Sequence, residues 1–385
     1  MIPYGRQDIS EEDIAAVCAV LRSDFLTQGP AIERFERKVA EQCGARYAVA
    51  VSNATAALHI ACLALDLGPG DAAWTSPNTF VASANCARYC GADVDFVDID
   101  PVTWNMSPVQ LEQKLAVAAE HGRLPKVLVP VHFSGRSCDM KAIGQLARKY
   151  GVAVIEDAAH AIGARYDDGP VGDCRYSDCA VFSFHPVKIV TTGEGGVIVT
   201  NRADLAARLM RLRSHGITRD ANLMSAQDPG PWHYEQIELG YNYRMTDIQA
   251  ALGSSQMARL GVFVERRGAL AARYDDLLAG LPLNLPQLVP TAQSSWHLYV
   301  VRLCLDKISR SHREIFEAMR AAGIGVNLHY IPVHLQPYYR ALGFAPGHCL
   351  EAERYHHEAI SLPLYSSMSE HDQDYVAETL RQLLA

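Results

Sequence analysis

The sequence reads as an α/β protein: a large domain over residues 1–250 built on a mainly parallel sheet, followed by a smaller α+β domain over residues 251–385. Two observations predict this. Between residues 40 and 250 short apolar runs alternate with helical patterns, as expected when crossover helices cover both faces of a parallel sheet. The segment Leu281-Pro282-Leu283-Asn284-Leu285-Pro286 then breaks the pattern with prolines, and a strand signal mixed with helices follows. At 385 residues the chain is long enough to bury a substantial core.

Taken in order, Ala48–Val51 is a short strand, and Ser52-Asn53-Ala54-Thr55 leads into a helix from Ala56 to Leu63. Small residues at a helix N-terminus leave free N–H groups that suit a phosphate, with Thr55 and Ala56 as the anchors, although Ser, Asn and Thr also cap ordinary helices. In Pro77-Asn78-Thr79-Phe80-Val81-Ala82, Phe80 is either a ring that stacks on a flat ligand or plain core. Strands follow at Val94–Val97, Val127–Val131 and Val152–Asp157, the last ending in two acids. Asp157 is either a buried carboxylate at a strand end or a helix N-cap; Glu156 is the competing acid and by alternation faces the other side of the sheet. The strand Cys179–Phe184 carries Ser183 and delivers Lys188 into the turn Thr192-Gly193-Glu194-Gly195-Gly196, after which Gly196–Thr200 is the next strand. Helical patterns cover Ile248–Arg267 and Ala269–Ala279; in the C-terminal part Leu298–Leu303 is a strand, and Ser311–Ala322, Glu351–Glu358 and Glu370–Leu384 are helices.

These parts make chemical sense together. A lysine in a loop is ordinarily a solvated charge, but one set at the strand ends of an α/β sheet, beside a strand-terminal carboxylate and a phosphate cup, has the makings of a pyridoxal phosphate (PLP) site. PLP withdraws electrons while its ring nitrogen stays protonated, and Asp157 is placed to keep it so. Lys188 is the candidate Schiff-base lysine and proton carrier.

The stretches Leu26-Thr27-Gln28-Gly29-Pro30, Glu156-Asp157-Ala158-Ala159-His160-Ala161, Thr192–Gly196 and Gly240-Tyr241-Asn242-Tyr243-Arg244-Met245-Thr246-Asp247 resemble the DegT/DnrJ/EryC1/StrS family of PLP-dependent nucleotide-sugar aminotransferases, over essentially the whole chain. The resemblance implies the fold of type I PLP-dependent transferases and a homodimer with shared active sites. It gives Lys188 and Asp157 the roles above, places Thr55, Ala56 and Ser183 on the cofactor phosphate, and sets His160 near the sugar or cofactor oxygens. It also puts Asn242, otherwise an ordinary turn residue, against the phosphate of the neighbouring subunit. Tyr4, Asp24, Phe25, Leu26, Thr27, Ala54, His185, His329, Tyr330, Ile331 and Pro332 become the sugar contacts, although Tyr330-Ile331-Pro332 also reads as a rigid packing corner. The stretches Ile2–Ile9, Ser183–Lys188, Ser214–Ile217 and Gly323–His334 are similar to a branch that uses L-glutamate to aminate UDP-linked 4-keto-6-deoxy-N-acetylhexosamines on the route to pseudaminic acid. Two departures stand out: many family members have Gly at the position of Ala54 and Gln at that of His160. Relatives that dehydrate the sugar carry His at the lysine position, so Lys188 speaks against that chemistry. A noncatalytic regulator on this fold would need an added domain, for which the chain has no room.

Composition narrows the partners. A net charge of −8 opposes binding to nucleic acid or anionic membranes. No run approaches the roughly 18 apolar residues of a membrane span, and Met1–Gln7 lacks a signal-peptide pattern, so the expected compartment is the cytoplasm. Ten cysteines occur without a Cys-x-x-Cys pair, and the adjacent His356 and His357 would point to different helix faces. No metal site is expected, and the thiols read as free and mostly buried.

Overall fold

The computed structural model describes residues 1–225, 230–287 and 289–385. Its central sheet has seven strands in the order Tyr47–Val51, Gly196–Thr200, Cys179–Ser183, Ala153–Asp157, Val127–Val129, Ala72–Thr75, Asp93–Phe96. Six of these share one direction, and Gly196–Thr200 alone runs against them, antiparallel to both of its neighbours. Such a sheet must be apolar on both faces, and Cys179–Ser183 and Gly196–Thr200 are buried at every position. Helix Ala54–Ala64 covers one face, burying Leu58, Ile60 and Ala61, and helix Pro30–Cys43 packs with Phe35 and Val39 on the other.

A second, antiparallel sheet joins Leu283–Asn284, Tyr299–Leu303 and Ala359–Leu362 around a separate core formed with helices His312–Ala321 and Glu370–Leu384. The proline-rich break thus contributes a short strand of this sheet. The extreme N-terminus joins the same unit: Ile2 bridges Ile324 and packs on its core.

Two helical expectations are corrected. The pattern from Ile248 to Arg267 is split into helices Asp247–Met257 and Leu260–Leu277, with Arg259 between them turned to pair with Asp8 and Asp13. The second helix then runs straight through Gly268, where the sequence suggested a boundary. A mid-helix glycine costs only about 1 kcal/mol relative to alanine, and burial of Phe263, Leu270, Ala271 and Tyr274 outweighs it. No helix among the described residues is long and apolar enough to cross a membrane, and none of their His, Cys, Asp and Glu side chains cluster as a metal site. All ten cysteines are free thiols, eight of them buried.

Candidate active site

A cleft of about 860 Å³ lies across the C-terminal ends of the parallel strands, where the second sheet and the N-terminal segment close over them. Lys188, Asp157, Thr55, Ala56, Phe80, Ser183 and His160 all line it.

Asp157 ends its strand with a buried side chain: Oδ2 accepts the Ser83 hydroxyl at 2.6 Å and Oδ1 accepts the Ala159 N–H at 3.1 Å. Thr79 Oγ1 lies 2.7 Å from Ser83 Oγ and extends the chain of hydroxyls. No helix begins after Asp157, so the N-cap alternative does not apply. Glu156, one residue earlier, faces the other side as alternation requires; it accepts His132 Nε2 at 2.7 Å and the Ser177 hydroxyl at 2.5 Å and is spent on structure. His132 in turn gives its backbone N–H to the Asp157 carbonyl, so the two acids share one braced strand end.

Lys188 is partly buried in the cleft wall, and loss of water pulls its amine down to about 8 against the opposing pull of Asp157. The imidazole and phenol groups beside it, His160, His329 and Tyr330, are uncharged. Burial, then the nearby Lys188, holds His160 well below the usual imidazole range and takes His329 to about 3. Ser134 N–H donates to His160 Nδ1 at 3.3 Å, which leaves the proton on Nε2, 3.2 Å from the Tyr330 hydroxyl. Burial likewise raises the Tyr330 hydroxyl, so it stays protonated.

The phosphate cup needs one correction. Asn53 is the N-cap of helix Ala54–Ala64 and its side chain accepts the Ala56 N–H at 2.8 Å, so the amide of Ala56 is already occupied. The amides of Ala54 and Thr55 have no acceptor among the described residues, and these are the open donors beside Ser183. Gly196 permits this closeness: a Cβ there would sit 2.6 Å from the Asn53 carbonyl. Phe80 is 59% exposed and is therefore not core; its ring borders the cleft 6.4 Å from that of Tyr330.

Of the sugar contacts implied by resemblance, Tyr4, Ala54, His185, His329 and Tyr330 line the cleft. Ile331 and Pro332 do not; Ile331 is 47% exposed, Pro332 is buried, and the adjoining Val333 N–H bonds the Pro77 carbonyl. Asp24, Phe25, Leu26 and Thr27 are exposed on a different surface, where Leu26 accepts the Asp247 N–H and Thr27 bridges Thr246. Asn242 is also exposed and lies outside its own chain's cleft, bridged to Ser214. Sequence reasoning missed Ser83, Thr79, His59, Tyr243 and His297. None of these carried a local signal, unlike Asn53, which stands as a capping residue before a helical run.

The residues fit PLP: a buried carboxylate for the ring nitrogen, open helix amides for the phosphate, and an amine of lowered basicity between them. The sequence profile of the DegT/DnrJ/EryC1/StrS aminotransferase family matches residues 7–381. The chain belongs to this family. Among curated relatives, the spore coat polysaccharide biosynthesis protein SpsC of Bacillus subtilis is 39% identical over all of this chain and 97% of its own length. The PLP form of Spr1654 from Streptococcus pneumoniae superposes with a TM-score of 0.89 at 30% identity, over 99% of this chain and 98% of that one. Helicobacter pylori PseC, an aminotransferase involved in the biosynthesis of pseudoaminic acid, gives 0.90 at 28% identity, over 100% and 99%. As a member of this sugar aminotransferase family the chain uses PLP, which when bound supplies the electron sink for proton removal next to nitrogen.

Proposed function

We propose that this protein transfers the amino group of L-glutamate to C4 of UDP-2-acetamido-2,6-dideoxy-β-L-arabino-hexos-4-ulose, giving UDP-4-amino-4,6-dideoxy-N-acetyl-β-L-altrosamine, in the cytoplasm. The observation that carries this reading is full-length likeness to PseC together with a cleft that combines Lys188, Asp157 and a neutral wall of His160, His329 and Tyr330. Lys188 would hold the cofactor in the resting site. Its amine, already of lowered basicity, would carry the proton at the carbon that bears the amino group, at Cα of the donor and at C4 of the sugar. Asp157, fixed by Ser83 and Ala159, keeps the ring nitrogen protonated. His160 donates from Nε2 toward the sugar or cofactor oxygens.

A homodimer with shared sites completes this picture. The cleft of one chain contains no arginine among its lining residues, although a cofactor phosphate, a diphosphate and a dicarboxylate must all be met there. Asn242 and the Asp24–Thr27 segment, exposed on their own chain, are available to a partner's site. The identity to SpsC, higher than that to PseC, favours as a second reading C4 amination of a different UDP- or dTDP-linked 4-keto-6-deoxy sugar. Incubating the protein with L-glutamate and a panel of such sugars, and assigning each product by NMR, separates the two. The first reading requires the altrosamine product to form fastest; preference for another sugar supports the second.

A further inference from the structure

His297 lines the cleft, yet the family motifs read from the sequence do not reach it. Its ring is 4% exposed and lies 4.3 Å, centroid to centroid, from that of His160. Nδ1 is buried with no hydrogen-bond partner among the described residues.

An unusual scaffold holds this residue in place. Arg267, 2% exposed and with no carboxylate partner among the described residues, gives Nη1 to the carbonyls of Trp296, His297 and Leu364. Trp296 takes φ +53, in the left-handed region that non-glycine residues seldom occupy. Ser295 donates its hydroxyl to the His160 carbonyl and its N–H to the Gly135 carbonyl, and Leu298 N–H reaches the Ser134 carbonyl. Buried charge and unfavourable backbone are features that a surrounding structure must over-determine, and they collect at functional positions. Here they all converge on the placement of one imidazole beside another.

Burial, with the neighbouring His160 and Lys188, keeps His297 neutral. A neutral imidazole has one N–H and one lone pair, and an unpaired lone pair in the interior is tolerated better than an unpaired N–H. The proton is therefore on Nε2, the nitrogen left to meet a ligand. A neutral donor suits a hydroxyl or carbonyl oxygen, whereas the carboxylates of an amino donor call for cations.

We infer that His297 is a specificity-determining residue that donates a hydrogen bond to a ring hydroxyl or N-acetyl oxygen of the sugar acceptor. This rests on the reading of the cleft as a sugar-aminotransferase site. The test uses the PLP-loaded protein and three forms, wild type, His297→Phe and His297→Gln, with thermal melts as a check on folding. Phe keeps the ring packing against His160 and removes the donor; Gln restores an N–H. Two readouts are taken: KM and kcat for the 4-keto sugar and its deoxy or des-acetyl analogues, and calorimetric affinity of the pyridoxamine form for the aminated sugar nucleotide. His297→Phe should raise KM and weaken that affinity at least tenfold with little change in kcat. It should also lose the wild type's discrimination against one analogue, and Gln should recover much of both. Unchanged sugar affinity in a folded His297→Phe, or equal losses for every analogue with no rescue by Gln, would overturn the inference while leaving the aminotransferase reading intact. A wild type that binds PLP and aminates no sugar in the panel would overturn both.

Discussion

The Ser83 hydroxyl donates a 2.6 Å hydrogen bond to Asp157 Oδ2, from a helix 74 residues away in the chain. The bond orients the carboxylate that we propose meets the cofactor ring, and hydrogen bonds to a charged acceptor are worth about 1.5–3 kcal/mol. Ser83→Ala should therefore lower kcat by roughly tenfold or more on the same scale while the sugar KM stays near wild type. Steady-state kinetics check this; an unchanged kcat would show that the Ala159 N–H alone fixes Asp157.

The two neighbouring acids should separate cleanly by phenotype. Glu156→Ala removes the acceptor of His132 and Ser177 and opens a buried space, for a loss of about 3 kcal/mol in unfolding free energy. Asp157→Asn keeps shape and should leave the melting temperature of the cofactor-free protein close to wild type, yet reduce turnover at least about a hundredfold by removing the charge beside the ring nitrogen. Denaturant titration and turnover of both variants decide the matter. Near-normal turnover in Asp157→Asn would transfer the role to another acid.

The lowered basicity of Lys188 gives a pH signature in the cofactor-free protein. With a folded value of about 8 and an unfolded value near the ordinary 10.5, the unfolded chain binds more protons between these limits, so this group makes stability rise with pH across that window. Lys188→Met removes the effect. The stability gap between Lys188→Met and wild type should shrink by about 1 kcal/mol from pH 8 to pH 10, roughly half of what the shift converts to over that window, because the side chain is only partly buried and solvent screens it. Urea denaturation at both pH values measures it, and a gap that does not change with pH would mean that Lys188 is solvated.

Most of the framework that carries the site was legible because it is local. Strand ends at Asp157 and Ser183, the Gly-rich turn after Lys188 and the helix opening at Ala54 are short-range patterns of apolar runs, small residues and caps. What escaped the sequence depends on contacts between distant segments. Ser83 sits in a helix whose pattern says nothing of Asp157, and the occupied amide of Ala56 follows from the orientation that Asn53 adopts as a cap. His297 precedes an ordinary strand, and only the Arg267 clamp and the ring of His160 set it apart. Gly268 misled in the opposite sense, since burial along one helix face overrode a local breaker.

Asn242 offers the sharpest test of a shared site. It is exposed and bridged to Ser214 away from its own cleft, while the neighbouring Tyr243 turns inward, its hydroxyl 3.2 Å from His59 Nδ1. If Asn242 meets the cofactor phosphate of a second chain, each site needs Lys188 from one copy and Asn242 from the other. Asn242→Asp would then set a carboxylate against the phosphate dianion and weaken PLP binding by at least about tenfold, since like charges repel strongly where water is sparse. Lys188→Ala should be inactive for the separate reason that the proton carrier is gone. Mixing the two variants after dissociation, at a PLP concentration too low to fill the Asn242→Asp sites, leaves each heterodimer with one site that has both wild-type residues and one that has neither. About a quarter of the wild-type activity should return if half of the dimers are mixed and each has one working site. Native mass spectrometry establishes the fraction of heterodimers. Recovery that tracks this fraction places Asn242 in its partner's site, whereas heterodimers with no more activity than either parent would confine it to a local role in its own turn.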